Sequence, residues 1–287
     1  MTLCVGALCD NRKSIVLVAD RMFGVGFAEA ELNIRKAASI HKDWMIMIAG
    51  NDVSPAFDII DELQQSLKAQ SCWTVRDVIQ LATKAFKDKR MKDAETKYLS
   101  SRGWTMDEFR KTGLQLLGQI PFDDLDRSIQ NAALSLDMMV AGFDGSGTGH
   151  IFSVVEPGLH SRHDVNGFHA IGSGSVGAYY MLLWRELKVQ MPLETALYLS
   201  QEAKIFGEQA GGVGFESDIY IMRHGQKTRK LTRGSVRFLD RVWNDHKPKD
   251  LTKQQKRQLA RVKEVKSIRQ AVKRPTPPKR RQAATKS

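Results

Sequence analysis

Residues 2–9 are apolar and rich in β-formers, residues 10–13 (Asp-Asn-Arg-Lys) break the run, and residues 14–19 are apolar again before Asp20 and Arg21. Two such runs around a polar turn predict a buried hairpin. A second hairpin is predicted over residues 32–40 and 44–49, with His41-Lys42-Asp43 as its turn and Gly50 at its end. From Ser54 to Ala69 apolar residues recur at helical spacing behind the start signal Asn51-Asp52-Val53. A second helical pattern runs from Thr74 to about Lys97, and two more follow, one opening at Thr105-Met-Asp-Glu and one over 123–134. Strands are predicted at 136–143 and 150–155, separated by a glycine-containing loop, and again at 168–171. Helices are predicted at 176–187 and at 192–210, the second with Pro192 at its opening, and a last strand at 218–222. Strands, two helices, strands, two helices and a strand predict an α+β chain, with two sheets packed face to face between helix layers.

Composition changes this picture at one end only. Hydrophobic residues make up 42% and charged residues 26% of the 287 positions, ordinary values for a globular chain. No apolar run is long enough to cross a bilayer, so no membrane partner is expected. The first strand has no basic leader and is broken by Asp10, so no secretory signal is expected. Cys4, Cys9 and Cys72 are odd in number and lack metal-ligand spacing, which points to buried thiols in a reducing, cytoplasmic setting. The net charge of +12 is concentrated in residues 247–287, where fifteen Lys or Arg face only Asp250 and Glu264. The body, residues 1–246, is therefore almost neutral, and the basic pI says nothing about what the body binds.

The candidate chemistry starts at Thr2. Threonine is small enough for Met1 to be trimmed, which would leave a hydroxyl and a free α-amine on one residue. An α-amine has a pKa near 7.7–8.0, so part of it is neutral at physiological pH and can take the hydroxyl proton. Asp20 and Lys36 fall at strand edges or ends near the chain start, 16 residues apart. A carboxylate and an ammonium beside that amine would make a proton network, the ammonium disfavouring a second cation on the amine. Two unconnected surface charges on two hairpins are the competing reading of the same pair.

Five stretches in order carry a resemblance: Thr2 followed by a strand; Ile15-Val-Leu-Val-Ala-Asp20-Arg21; Ile34-Arg-Lys36-Ala-Ala-Ser-Ile40; Ile46-Met-Ile-Ala-Gly50; and Ala170-Ile-Gly-Ser173-Gly-Ser175. The chain resembles the N-terminal nucleophile hydrolases of the proteasome β-subunit type, including the bacterial ATP-dependent peptidase that forms double rings. The likeness covers roughly residues 2–60 and 135–225. It implies a four-layer αββα sandwich, with residues 98–134 as a helical insertion beyond the family core and 247–287 as an appended basic tail. By resemblance Thr2 is the nucleophile and, through its amine, the general base. Lys36 lowers the barrier to proton transfer, Asp20 pairs with it, and Ser173 relays protons beside the amine. The Gly50 N–H faces the developing oxyanion. Phe23, Ile34, Ala38, Ile48 and Ala56 fall where that family lines its specificity pocket, which suggests an apolar residue before the cut bond. The resemblance further implies a peptide or unfolded-protein substrate, a self-assembled homo-oligomeric ring and a possible AAA+ unfoldase partner; no cofactor and no metal is expected.

Two departures stand out. The first hairpin is about two residues longer than is usual in that family, so a different turn must place Thr2. Where the family has Asp-x-x-Ser before Gly-Gly, this chain reads Glu208-Gln209-Ala210-Gly211-Gly212. Glu208 can stand in for that aspartate only if the loop shifts by one residue. Other motifs carry less. The glycines of 144–149 lack a following Gly-Lys-Ser/Thr and read as a hairpin turn. His160-x-x-His163-Asp164 has metal-binding residue types in a strand or loop context. In the tail, Leu251, Leu259, Val262, Val265, Ile268 and Val272 predict a basic amphipathic helix before a disordered end around 274–281. That tail offers nucleic acid or an acidic partner a docking segment. Three readings therefore stand side by side: a threonine peptidase, an amidohydrolase acting on small substrates, and a noncatalytic assembly protein working through its tail.

Overall fold

The computed structural model describes residues 2–25, 28–31, 36–247 and 252–254, with only the backbone at 23–25 and 28–31. The chain divides into two units, Met1–Asn244 and Asp245–Ser287. The tail helix expected over 251–272 and the disordered end expected at 274–281 lie outside the described residues, apart from residues 252–254.

The first apolar runs form β1 (Leu3–Cys9) and β2 (Ser14–Asp20), every residue of which is buried. Continuous burial explains why neither run alternates with polar residues: both faces of the hairpin are covered. The turn between them carries Asp10, Asn11 and Arg12, all at positive φ (50°, 57° and 67°). Bonds from outside the hairpin hold this left-handed turn. Asp10 N–H donates to the Met191 carbonyl, Asn11 N–H to Val189, and Asp10 Oδ1 accepts the Leu193 N–H at 3.1 Å.

A short hairpin, β3 (Met22–Val25) and β4 (Ala28–Glu31), comes next. The second long hairpin is β5 (Ala37–His41) and β6 (Trp44–Gly50); the expected start of its first strand, 32–35, lies outside the described residues. After it come α1 (Ser54–Leu67) and α2 (Val75–Tyr98), then α3 (Met106–Leu117) and α4 (Gln119–Gln130). Then follow β7 (Leu136–Phe143), β8 (Gly149–Val155), β9 (Leu159–Arg162) and β10 (Phe168–Gly172). The described body closes with α5 (Ser175–Trp184), α6 (Leu193–Gly207), β11 (Ser217–Arg223), β12 (Arg229–Lys230) and α7 (Arg233–His246).

Two antiparallel five-stranded sheets result, in the orders β10-β1-β2-β11-β12 and β5-β6-β7-β8-β9. Three buried clusters define the layers. Cys4, Leu17, Met47, Met139 and Ile171 belong to the cluster between the sheets. Ile46, Val140, Ile59 and Phe86 belong to the one under α1 and α2, and Val5, Val18, Leu182 and Leu199 to the one under α5 and α6. The body is thus an α+β sandwich layered helix, sheet, sheet, helix.

The insertion has a small core of its own. Phe109 stacks on Phe122 with centroids 4.8 Å apart, and Ala94, Leu99 and Ile129 complete the cluster against the end of α2. Helix α4 begins at Gln119, four residues before the expected 123. Gly118, at φ 76°, ends α3, and Pro121 sits in the first turn of α4, where its missing N–H costs nothing. Helix α7 was not expected, because its charged residues merge with the tail's. Val236 and Leu239 are buried with the α5–α6 cluster, and Trp243 packs against it at helical spacing.

Candidate active site

Segments far apart in sequence meet at the start of β1. The β1–β2 register sets Cys4 opposite Ala19, so Asp20 comes alongside Leu3. Asp20 Oδ1 accepts the Leu3 N–H and the Lys36 ammonium, each at 2.8 Å. Its Oδ2 accepts the N–H groups of Met22 at 3.0 Å and Gly214 at 2.9 Å. Four donors fill the acceptor sites of the carboxylate and fix its orientation. The Lys36 and Asp20 side chains are only 2% and 0% exposed, so this ion pair is sealed from water. A pair so deeply buried holds together only with good geometry and satisfied lone pairs, and this one has both.

Strand β10 supplies the other side. Its register with β1 puts Gly172 opposite Leu3, which carries Ser173 to Thr2. Ser173 Oγ accepts from the Thr2 nitrogen and donates to the Thr2 carbonyl, both at 3.4 Å. In this chain, which still carries Met1, that nitrogen is a peptide nitrogen and Thr2 is buried. Gly172 allows the approach. Its φ is +94°, and a Cβ there would stand 2.1 Å from the Thr2 carbonyl oxygen. Gly172→Ala is therefore expected to cost about 2–5 kcal/mol, from left-handed strain plus overpacking, and to push Thr2 away from Ser173. A denaturant midpoint reads the stability loss; an unchanged midpoint would contradict the close approach.

Gly50 ends β6 opposite Leu136. A Cβ on Gly172 would also lie 3.2 Å from Ala49 Cβ, which sets Gly50 one residue from the Thr2–Gly172 contact. Of the five residues expected to line the pocket, Ala38 is half-buried and lines a cavity of about 1040 Å³ together with Met45, Phe57, Ile60, Tyr220 and Lys230. Ile48 and Ala56 lie in the closed cluster under α1 and α2. Ile34 and the Phe23 side chain are outside the described residues. Cys4 is fully buried between the sheets, and burial pushes its thiol far above the usual range, which removes it as a rival nucleophile.

Near the site lie Lys204, Gly214 and Asp137, to which the sequence pattern assigns no role. The Lys204 side chain is fully buried on α6, bonded to Glu208 Oε1 at 2.5 Å and to the Phe215 carbonyl at 2.6 Å. Burial pushes its pKa down, against the pull of Glu208 and, more weakly, Asp20. Glu208 thus pairs with Lys204, and Lys204 ties down the loop whose Gly214 N–H reaches Asp20. A lysine on the stripe Ala196–Ser200–Ala203–Gly207 was the available signal, as was the glycine run 211–214. Asp137 lies opposite Ala49, on the same face, and burial raises its pKa.

Of the residues weighed for a metal, His163 and Asp164 are engaged with other side chains, and His160 is exposed on β9. His163 Nε2 lies 2.9 Å from Ser153 Oγ, and Asp164 Oδ2 lies 3.0 Å from His150 Nδ1. Among the described residues no group of His, Cys, Asp and Glu is placed to hold a metal ion. His163 stacks on His169 of β10 with centroids 3.5 Å apart. Burial, and secondarily His163, holds His169 down to about 3. The unfolded chain therefore takes up a proton near pH 6.5 that the folded chain refuses until about pH 3. Stability contributed by neutral His169 is complete above pH 6.5 and falls through that window, by a few kcal/mol at most. Urea midpoints at pH 7 and pH 4.5 should show this loss, and His169→Leu should shrink it.

No protein-family model matches the chain, and no curated protein matches it. Among the described residues no helix is long and apolar enough to cross a membrane.

Proposed function

We propose that this chain is an N-terminal threonine hydrolase of the proteasome β-subunit type that cleaves peptide bonds. The observation that carries the reading is the sealed Lys36–Asp20 pair, which shares one carboxylate oxygen with the amide directly after Thr2. Removal of Met1 turns the Thr2 nitrogen into an amine beside Ser173. The amine takes the proton of the Thr2 hydroxyl as Oγ1 attacks the substrate carbonyl. The Lys36 ammonium provides fixed positive charge near the forming alkoxide, and Asp20 keeps that ammonium in place. The N–H of Gly50 faces the tetrahedral oxyanion, a contact worth about 2.7–4 kcal/mol in rate where such donors have been removed. The protonated amine then gives its proton to the leaving amine, and an ester on Thr2 remains. Water, deprotonated by the same amine, resolves the ester and regenerates the hydroxyl. The cavity lined by Ala38 begins next to Lys36 and would receive an apolar side chain of the substrate.

A peptide epoxyketone tests this directly, because its stable adduct requires both the hydroxyl and the amine of one residue. The expected result is an intact mass lacking Met1 and a single probe adduct on Thr2. Retained Met1, or an adduct elsewhere, would refute the proposal.

A further inference from the structure

Strand β7 carries one charged side chain on the face that it turns to the opposite sheet. Leu136, Met138 and Val140 belong to the cluster under α1 and α2, while Met139 and Ala141 belong to the one between the sheets. A strand alternates its faces, so Asp137 shares the inter-sheet face with Met139. The register with β6 sets Asp137 opposite Ala49, itself in the inter-sheet cluster and one residue before Gly50. Side chains opposed in this way stand about 4.5–5.5 Å apart at Cβ. Ala49 in turn meets Gly172. The Cβ that would stand 2.1 Å from the Thr2 carbonyl oxygen would stand 3.2 Å from Ala49 Cβ. Strand β10, which carries Gly172 and leads to Ser173, lies against β7 across the sandwich. Asp137 thus flanks the corner where Thr2, Gly172 and Ala49 meet, and it is half-buried, with part of its surface open to solvent.

What this carboxylate lacks is a partner. The other carboxylates around the site are engaged: Asp20 by Lys36 and three N–H groups, Glu208 by Lys204, and Asp218 by Arg21 and Lys230. Among the described residues Asp137 makes neither a hydrogen bond nor an ion pair, and burial alone raises its pKa. A carboxylate drawn partly out of water with no donor to meet it is destabilising. We propose that Asp137 is a specificity-determining residue, whose carboxylate receives the cationic side chain of a lysine or arginine next to the cut bond of the substrate. The inference rests on the reading of Thr2 as the nucleophile of a peptidase. An ionised carboxylate only accepts hydrogen bonds, so its ligand must donate, and a cation offsets the charge as a neutral amide does not. The ammonium groups of the chain nearest the site are already held, Lys36 by Asp20 and Lys204 by Glu208. Asp137 does not line the apolar cavity that begins at Ala38, so the two features read different side chains of one peptide.

Two measurements on the full chain test this. The first compares kcat/KM for fluorogenic peptides that carry Lys, norleucine or Glu, in turn, at each of the two positions flanking the cut. At one of these positions the wild type should prefer Lys to norleucine by about 10–100-fold, the usual worth of a hydrogen bond to a charged group, and should disfavour Glu. Asp137→Asn should bring the ratio of Lys to norleucine to about one, and Asp137→Lys should turn the preference toward Glu. Asp124→Asn, at an exposed position of α4, should keep the wild-type ratio. The second measures binding without chemistry. Fluorescence anisotropy of the same peptides, labelled, on the Thr2→Ala protein should show a Kd ratio of the same size, lost when Asp137→Asn is added. Three results would overturn the proposal: no preference for Lys at either position, a preference that persists in Asp137→Asn, or an equal loss for Lys and norleucine peptides, which would assign the carboxylate to the peptide backbone. Binding that favours Lys through Asp137 without any cleavage would refute the peptidase reading and leave the cation subsite standing. Neither binding nor cleavage would overturn both.

Discussion

Thr2→Ala should lower peptide turnover by about 10⁶-fold, the scale of loss when a hydrolase is deprived of its nucleophile. The substitution keeps the amine and removes only the hydroxyl and methyl groups. Asp20 bonds to the Leu3 N–H, a backbone group that the substitution leaves in place, so the Asp20 network should survive. Stability should consequently change by no more than about 1–2 kcal/mol, and the loss of rate cannot be ascribed to unfolding. Thr2→Ser retains both reacting groups and should retain measurable turnover. Initial rates on fluorogenic peptides, with Met1 removal verified by mass for each protein, make the comparison. Equal rates for the alanine variant and the wild type would end the peptidase reading.

Lys36→Met carries the second large effect, and it acts on both rate and stability. It leaves the Asp20 carboxylate fully buried without its counter-charge. Breaking a buried pair on one side costs about 3–5 kcal/mol. The three backbone N–H donors that remain on Asp20 favour the lower end of that range. For a body of this size the melting temperature should drop by roughly 10 °C. Turnover should fall by about 10²–10⁴-fold, the usual contribution of a group assisting proton transfer. Adding Asp20→Asn separates the two effects. A neutral amide opposite methionine no longer leaves a buried charge unpaired, so the double variant should regain part of the lost stability and none of the lost rate. If rate returned along with stability, Lys36 would be a structural residue only, and the proposed chemistry would lose its main support.

The outer parts of the network are reached differently. Lys204 acts on Asp20 through the 209–216 loop, since its ammonium holds the Phe215 carbonyl and Gly214 donates to Asp20 Oδ2. The departure read at Glu208–Ala210 thus coincides with a second ammonium–carboxylate pair, buried at Lys204 and half-buried at Glu208. Glu208 is linked to Asp20 through Lys204 and the loop that carries Phe215 and Gly214.

What the sequence determined by itself is local. Period-two and continuous apolar runs placed β1, β2, β6 and β7, and the 3.6-residue period placed α1, α2 and α6, because each pattern records which side of its own segment is removed from water. Asp20 was legible at the end of a predicted strand, whereas Lys36, inside the strand predicted over 32–40, comes directly before β5 in the fold. Tertiary structure alone decided that β10 lies against β1, bringing Ser173 to a residue 171 positions away, and that Gly172 makes room for the contact. It also decided that Ile48 and Ala56 close a core while Ala38 lines a cavity. The reason is physical: strand partners are chosen by register and by packing across the sandwich, interactions between distant segments that no local period encodes.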